Sequence, residues 1–246
     1  MNKIQGLAPS DLRSEILTQN IDTARISIII PVLNEARNIK QAVASTQPST
    51  NVEVIVVDGG SNDGTVEIAE SLGVKLISAP RGRAAQMNAG ALAASGEILL
   101  FLHADSRLSA GFDIMVRTAL QQPGVVAGAF AVQIDAQLWS LRLVEWGVNW
   151  RSRFLQMPYG DQAIFVTKQI FHGIGKFPEI PIMEDFELIR RLRRTGKITI
   201  IHVPILTSAR RWLKNGVFKT TLTNQIIILA YLLGVSPKRI GTWFRQ

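Results

Sequence analysis

The sequence predicts an α/β chain, an open and mostly parallel sheet flanked by helices, followed by a helical C-terminal extension. Three observations predict it. Short β-branched runs alternate with helical stretches from Arg25 to Leu102, the pattern of strands joined by right-handed crossovers. The runs Ile26 to Val32 and Ile98 to Leu102 are apolar almost without a break, as strands buried on both faces are. Three of the runs end at once in polar, carboxylate-bearing loops, and such sheets bind ligands at their carboxyl edge.

Taken in order, Met1 to Thr23 is polar and irregular and lacks the apolar core of a signal peptide, so it is expected to be a loosely docked arm. Strands are expected at Ile26 to Val32, Val52 to Val57, Val74 to Ile77 and Ile98 to Leu102. Helices are expected at Asn38 to Ser45, Thr65 to Leu72 and, Ala-rich, Ala84 to Ala94. Further on come a strand over Gly128 to Ile134, a helix over Trp139 to Trp150, a strand over Ala163 to Thr167 and a helix from Met183 through Leu192. The helix carries Trp139, Trp146 and Trp150 near one face, either filling the core or forming a wall for a ligand.

The 246 residues are 47% hydrophobic and 19% charged, enough for one substantial core. There is no cysteine, hence no disulfide framework and no thiolate metal site, which fits the cytoplasm. The net charge of +8 points to anionic partners: nucleotide phosphates, lipid headgroups or nucleic acid. Without zinc-ligand spacing, a basic-region helix or an aromatic RNA-binding signature, nucleic acid is not expected.

The polar strand ends carry the chemistry. Asp58 follows a buried strand and precedes two glycines, so a ligand is a better account of it than a local turn. Ser61 or Asp63 is expected to cap the helix that begins at Thr65. Arg81 and Arg83 flank a glycine at a helix start, where phosphate is favoured. Asn88 is a poor helix former in mid-helix, which implies a side-chain role. Asp105, delivered by the strand before it, either caps the next segment or holds a divalent metal. The run Ile226 to Val235 is too short to span a bilayer. With Lys214, Lys219, Lys238 and Arg239 around it, it suits packing on the domain or on a second subunit, or rest on the inner face of a membrane.

The segments PVLNEARN (31–38), VDGGSNDGT (57–65), RGRAAQMNAGA (81–91), LHADS (102–106) and MEDFEL (183–188) together resemble the inverting family 2 glycosyltransferases. Paired with PYGDQAIF (158–165), the third segment resembles a bacterial branch commonly labelled as arsenosugar-biosynthesis glycosyltransferases. The resemblance implies a GT-A, Rossmann-like fold with a mixed sheet. Residues 24–209 would form the catalytic domain, with a nucleotide-binding half (24–106) and an acceptor half (107–209), and residues 210–246 the extension. It implies transfer of a hexosyl group from a nucleoside diphosphate sugar, of UDP or GDP type, to a hydroxyl of an acceptor the sequence does not name.

By that resemblance Pro31, Asn34 and Glu35 line the ribose and base pocket, with Ser61 and Asp63 beside them, and Asp58 meets the base. Arg83 and Asn88 approach the diphosphate, and Asp105 binds magnesium or manganese. Asp185 is the general base, and Glu184 positions acceptor or donor. Trp150, Tyr159 and Asp161 face the acceptor or donor sugar, and Arg210, Arg211 and Trp212 belong to a closing loop. The family's metal motif is Asp-x-Asp, and here His103 stands in place of the first acid, contacting ribose or tuning the site. Two alternatives stay open. A nucleotidyltransferase would share sheet and metal, but Pro31 to Asn38 contains no glycine for its phosphate loop. A non-catalytic nucleotide-sugar-binding module would explain His103, though not the retained Asp105 and Asp185.

Overall fold

The computed structural model describes residues 21–243, so the arm expected over residues 1–23 lies outside the described residues up to residue 20. Its last three residues form a 3₁₀ turn, Ile21–Thr23, with Ile21 buried and Asp22 accepting a hydrogen bond from Gln121 Nε2.

Eight strands of the described residues form one sheet: β1 (Ile26–Val32), β2 (Val52–Asp58), β3 (Lys75–Ser78), β4 (Ile98–Phe101), β5 (Ser106–Arg107), β6 (Val125–Asp135), β7 (Phe165–Thr167) and β8 (Lys197–Ser208). Their order is β3-β2-β1-β4-β7-β6-β8-β5. The pairs β1–β2, β1–β4, β2–β3 and β6–β8 are parallel, whereas β4–β7, β6–β7 and β5–β8 are antiparallel. Because β7 runs against β4, the chain enters β7 at the edge where β1, β2 and β4 end. That reversal brings the 159–162 loop beside the carboxylates.

Among the described residues ten α-helices surround the sheet: α1 (Ile39–Ala44), α2 (Thr65–Ser71), α3 (Arg83–Ala93), α4 (Phe112–Gln121), α5 (Trp139–Leu155), α6 (Lys168–Gly173), α7 (Glu184–Thr195), α8 (Arg210–Asn215), α9 (Val217–Leu232) and α10 (Pro237–Trp243). Strand side chains alternate between two cores, as a period of two requires. Ile29 and Leu99 join α3 and α7 on one face, while Ile28, Ile30 and Leu100 join α1 and α4 on the other. On the first face Phe101, Phe171 and Phe177 meet with ring centroids 4.9 to 5.5 Å apart. Each such pair contributes about 0.5–1.5 kcal/mol beyond area burial.

Several elements differ from the sequence reading. The strand expected over Ala163–Thr167 starts at Phe165, because Ala163 sits at φ 47°, in the left-handed region that interrupts extended chain. β6 starts three residues before Gly128, and α5 continues past Trp150 to Leu155. The three tryptophans of α5 do not fill the core: Trp139, Trp146 and Trp150 are all exposed. Of the apolar run Ile226 to Val235, Ile227 is buried and Ile228, Ala230, Tyr231 and Val235 pack on the core, whereas Ile226, Leu229, Leu232 and Leu233 are exposed.

The close seating of α3 on the sheet depends on Gly90. A Cβ there would fall inside contact distance of Ile29 Cγ2 and 3.0 Å from Val57 Cγ2. By contrast, a Cβ on Gly147 in α5 would meet nothing within 4 Å. Urea unfolding therefore should separate the two helical glycines. Gly90→Ala is expected to destabilise by about 1–2 kcal/mol net of its better helix propensity, and Gly147→Ala to stabilise by up to about 1 kcal/mol.

Candidate active site

Two loops at the carboxyl edge are stitched together by their own side chains. Asn34, at φ 56°, donates its N–H to Ser61 Oγ at 2.9 Å and accepts from the Asn62 N–H at 2.9 Å. The Glu35 N–H donates to Thr65 Oγ1 at 2.8 Å, and the Ala36 N–H to Asp63 Oδ2 at 3.2 Å. Asp63 Oδ1 accepts from the Thr65 N–H at 3.1 Å, but the helix N-cap is Gly64, at φ 88°, with no side-chain cap, so neither Ser61 nor Asp63 takes the capping position. Asp58 does serve a local turn: its carboxylate accepts from the N–H groups of Gly60 at 2.9 Å and Ser61 at 3.1 Å. Beneath both loops the buried Gln86 donates from Nε2 to the carbonyls of Val32 and Val57, each at 2.8 Å. The sequence reading gave Gln86 no such part; its only signal was a carboxamide among the alanines of α3.

An open cleft of about 310 Å³ lies above these strand ends, lined by Pro31, Leu33, Glu35, Arg83, His103 and Asp105 among others. Asp105 is fixed through its backbone, its carbonyl accepting from the Ser208 N–H at 3.1 Å. Ser106 Oγ adds a bond to Thr207 Oγ1 at 3.1 Å.

The second wall comes from the later chain. Met183, at φ 70°, turns the chain into α7. The turn presents Glu184 to Arg83, with Oε1 3.0 Å from Nε. Asp185 Oδ2 accepts from the Gly160 N–H at 2.7 Å, and Oδ1 from the Phe186 N–H at 2.7 Å. Tyr159 lies under the Arg151 guanidinium, 3.6 Å from ring centroid to Cζ, and Arg151 Nε donates to the Met157 carbonyl at 3.1 Å. Buried Gln162 accepts from Ser152 Oγ at 2.6 Å and donates to the Phe130 carbonyl at 2.9 Å, fixing the loop in place. Arg210 reaches back to Glu35 Oε1 at 2.9 Å.

Three expected site residues are engaged elsewhere. Asn88 does not point at a diphosphate, since its carboxamide pairs with the Phe177 backbone, donating at 2.9 Å and accepting at 3.1 Å. Trp150 is exposed and stacks on Phe154 with centroids 5.6 Å apart. Trp212 is half-buried against Ile134, Leu141 and Ala209.

Burial raises the carboxyls of Asp105, Asp161 and Glu184. At Asp105 the neighbouring Glu35 adds to the rise, and at Asp161 and Glu184 Asp185 does so. Arg210 and Arg83 oppose it at Asp105, Arg151 at Asp161 and Arg83 at Glu184. Arg211 is lowered by burial and by the charge of Arg83. His103 is lowered to about 4 by burial and by Arg83, with Asp185 opposing, so its imidazole is neutral at neutral pH.

Asp161 Oδ1 is buried without a hydrogen-bond partner. Among the described residues no three His, Cys, Asp or Glu side chains group to hold a metal ion. The oxygen donors still fit a hard cation that takes one or two protein carboxylates and completes its shell with phosphate oxygens and water. Two partly buried acids raised by desolvation, one with an unpartnered oxygen, are stabilised by added positive charge.

His103 also makes stability depend on pH. Its unfolded form takes up a proton near pH 6.5 and its folded form only near 4. The unfolded state therefore binds more protons in that window, and stability falls as pH falls through it. Compared with His103→Gln in metal-free buffer, the wild type is expected to lose up to about 3 kcal/mol more between pH 7 and pH 4, read by urea unfolding at each pH.

The profile described as Glycosyl transferase family 2 matches residues 27–177, more than half of the chain. Glycosyltransferase AglE of Haloferax volcanii is 41% identical over 91 residues, which are 32% of this chain and 30% of the relative. A solved mannosyltransferase, PcManGT from Pyrobaculum calidifontis in complex with GDP-Man and Mn2+, superposes with a TM-score of 0.58 at 20% identity, covering 79% of this chain and 61% of that one. S. aureus TarS 1–349 in complex with UDP superposes with a TM-score of 0.60 at 17% identity, covering 75% and 60%. The matches thus span under a third of the curated relative and about three fifths of the solved neighbours. The shared mixed sheet is that of GT-A glycosyltransferases. On the extent of the profile match, the chain belongs to glycosyl transferase family 2.

Proposed function

We propose that the chain transfers a sugar from a nucleoside diphosphate sugar to an acceptor hydroxyl, with inversion at the anomeric carbon. The observation that carries this reading is the convergence on one sheet edge of Asp185, held by the Gly160 N–H, with Arg83, His103 and Asp105. In the proposed step Asp185 accepts the proton of the acceptor hydroxyl as its oxygen bonds to the anomeric carbon. The bond from that carbon to the diphosphate oxygen breaks, and the electron pair leaves with the diphosphate. Arg83, Arg210 and Arg211 meet the charge that builds there. Glu184 acts through Arg83, keeping the guanidinium in place. Neutral His103 offers a hydrogen bond to ribose or phosphate without adding charge.

Pro31, Asn34, Glu35 and Asp58 would form the base and ribose side, with Ser61 and Asp63 as its framework. A magnesium or manganese ion would be held by Asp105, with Asp161 nearby, and would neutralise charge on the diphosphate. A solved neighbour with GDP-Man and Mn2+ and another with UDP support a donor of GDP or UDP type. Tyr159 and Asp161 are proposed to border the acceptor side. RGRAAQMNAGA together with PYGDQAIF supports the narrower bacterial branch, and the cysteine-free composition supports a cytoplasmic setting.

Calorimetry with UDP, GDP, CDP and dTDP, each with EDTA, magnesium or manganese, tests the donor site. One diphosphate is expected to bind with metal dependence that Asp105→Ala abolishes; binding of none of the four would end this reading. With the sugar nucleotide so identified, Asp185→Asn is expected to slow diphosphate release about 10²–10⁴-fold while diphosphate affinity stays within about twofold.

A further inference from the structure

Helix α5 buries its polar side. Leu141, Glu145 and Ser152 point inward, Glu145 accepting from the Ile134 N–H and pairing with Arg142. Trp139, Leu143, Trp146, Trp150 and Phe154 recur every three or four residues on the opposite side and are 47–77% exposed. Helix α9 repeats the arrangement. Thr220 and Ile227 are buried, while Phe218, Leu222, Leu229 and Leu232 are exposed along one stripe. Val144 of α5 and Val217 of α9 pack on the same small cluster around Leu141, so the two stripes start from one corner of the molecule. Contiguous apolar surface of this kind marks an interaction site.

Charge identifies the partner. Residues 188–246 contain twelve Lys and Arg and no Asp or Glu, whereas the preceding 187 residues contain fifteen basic and nineteen acidic. The whole positive excess of the chain therefore lies in the segment that carries α8, α9 and α10. Lys214, Lys219, Lys238 and Arg239 are exposed there, and Arg153 is exposed on α5. No helix among the described residues is long and apolar enough to cross a membrane.

We propose that α5 and α9 form a membrane-docking face whose partner is an anionic lipid surface. Indole and phenyl rings enter the headgroup boundary, and the Lys and Arg heads meet lipid phosphates. A second copy is a poorer partner, because it would oppose two basic surfaces that have no acid to pair with. Arg151 on α5 and Arg210 on α8 both reach the site, so a docked chain holds its cleft beside the lipid.

Co-sedimentation of the full chain with vesicles of phosphatidylcholine alone, or with about one third phosphatidylglycerol, tests this. Partition onto the anionic vesicles is expected to exceed that onto neutral ones at least about tenfold and to collapse in about 0.5 M salt. The double variant Trp146→Glu, Phe218→Glu is expected to lose at least about tenfold of it with an unchanged unfolding midpoint, since both side chains are exposed. Absence of binding to anionic vesicles, or equal binding by the variant, would overturn the proposal. So would a solution dimer that the variant separates in the absence of vesicle binding, which would assign the face to a second copy.

Discussion

The site depends on a close approach at Gly160. At Gly160 a Cβ would sit 3.1 Å from His103 Nε2 and 3.2 Å from Asp185 Oδ2, so both groups would have to give slightly to admit a side chain. The Gly160 N–H reaches Asp185 at 2.7 Å, and the imidazole and the carboxylate both close on the space that a side chain would take. Three segments far apart in sequence, the end of β4, the entrance to β7 and the start of α7, are brought to one point in this way. Each is held from behind by other means: Asp105 by the Ser208 N–H, Gln162 by Phe130 and Ser152, and Met183 by the turn into α7. The convergence is therefore over-determined, which a small cluster of partly buried acids requires if it is not to drift apart.

What could be read in the sequence was whatever a run of neighbouring residues decides. Ile26 to Val32 and Ile98 to Phe101 are strands because branched apolar side chains recur on both faces, and the carboxylates after them share an edge because parallel strands end together. What escaped were bonds between distant residues. Asn88 was expected to face a ligand because asparagine is uncomfortable in mid-helix, but a backbone 89 residues away satisfies it. Asp58 and Asp63 carry turn bonds that compete with the same inference of a ligand. Gln86 tied to two carbonyls leaves no spacing signal at all. The Glu184 to Arg83 and Arg210 to Glu35 pairs likewise cross about 100 and 175 positions, and only the folded chain discloses them.

Helix α5 is a different lesson. Its tryptophan periodicity was plain, but periodicity says which residues share a face and not which way the face turns. The direction was settled by Glu145, whose carboxylate is drawn inward to the Ile134 N–H and Arg142, and by Ser152, which bonds to Gln162. Two polar anchors rotate seventeen residues, and the aromatic side is left outside.

The two walls of the cleft are built from different forces. The wall formed by the first two loops is held mainly by hydroxyls, carboxamides and carboxylates folded back on their own turns. The opposite wall is joined to it by guanidinium to carboxylate pairs whose arginine ends are about half exposed. Dissolved ions weaken exposed charge pairs and leave neutral hydrogen bonds nearly untouched. The neutral bonds of the first wall are thus indifferent to the ionic composition of the surroundings, whereas the two charge pairs that join the walls weaken as dissolved salt rises.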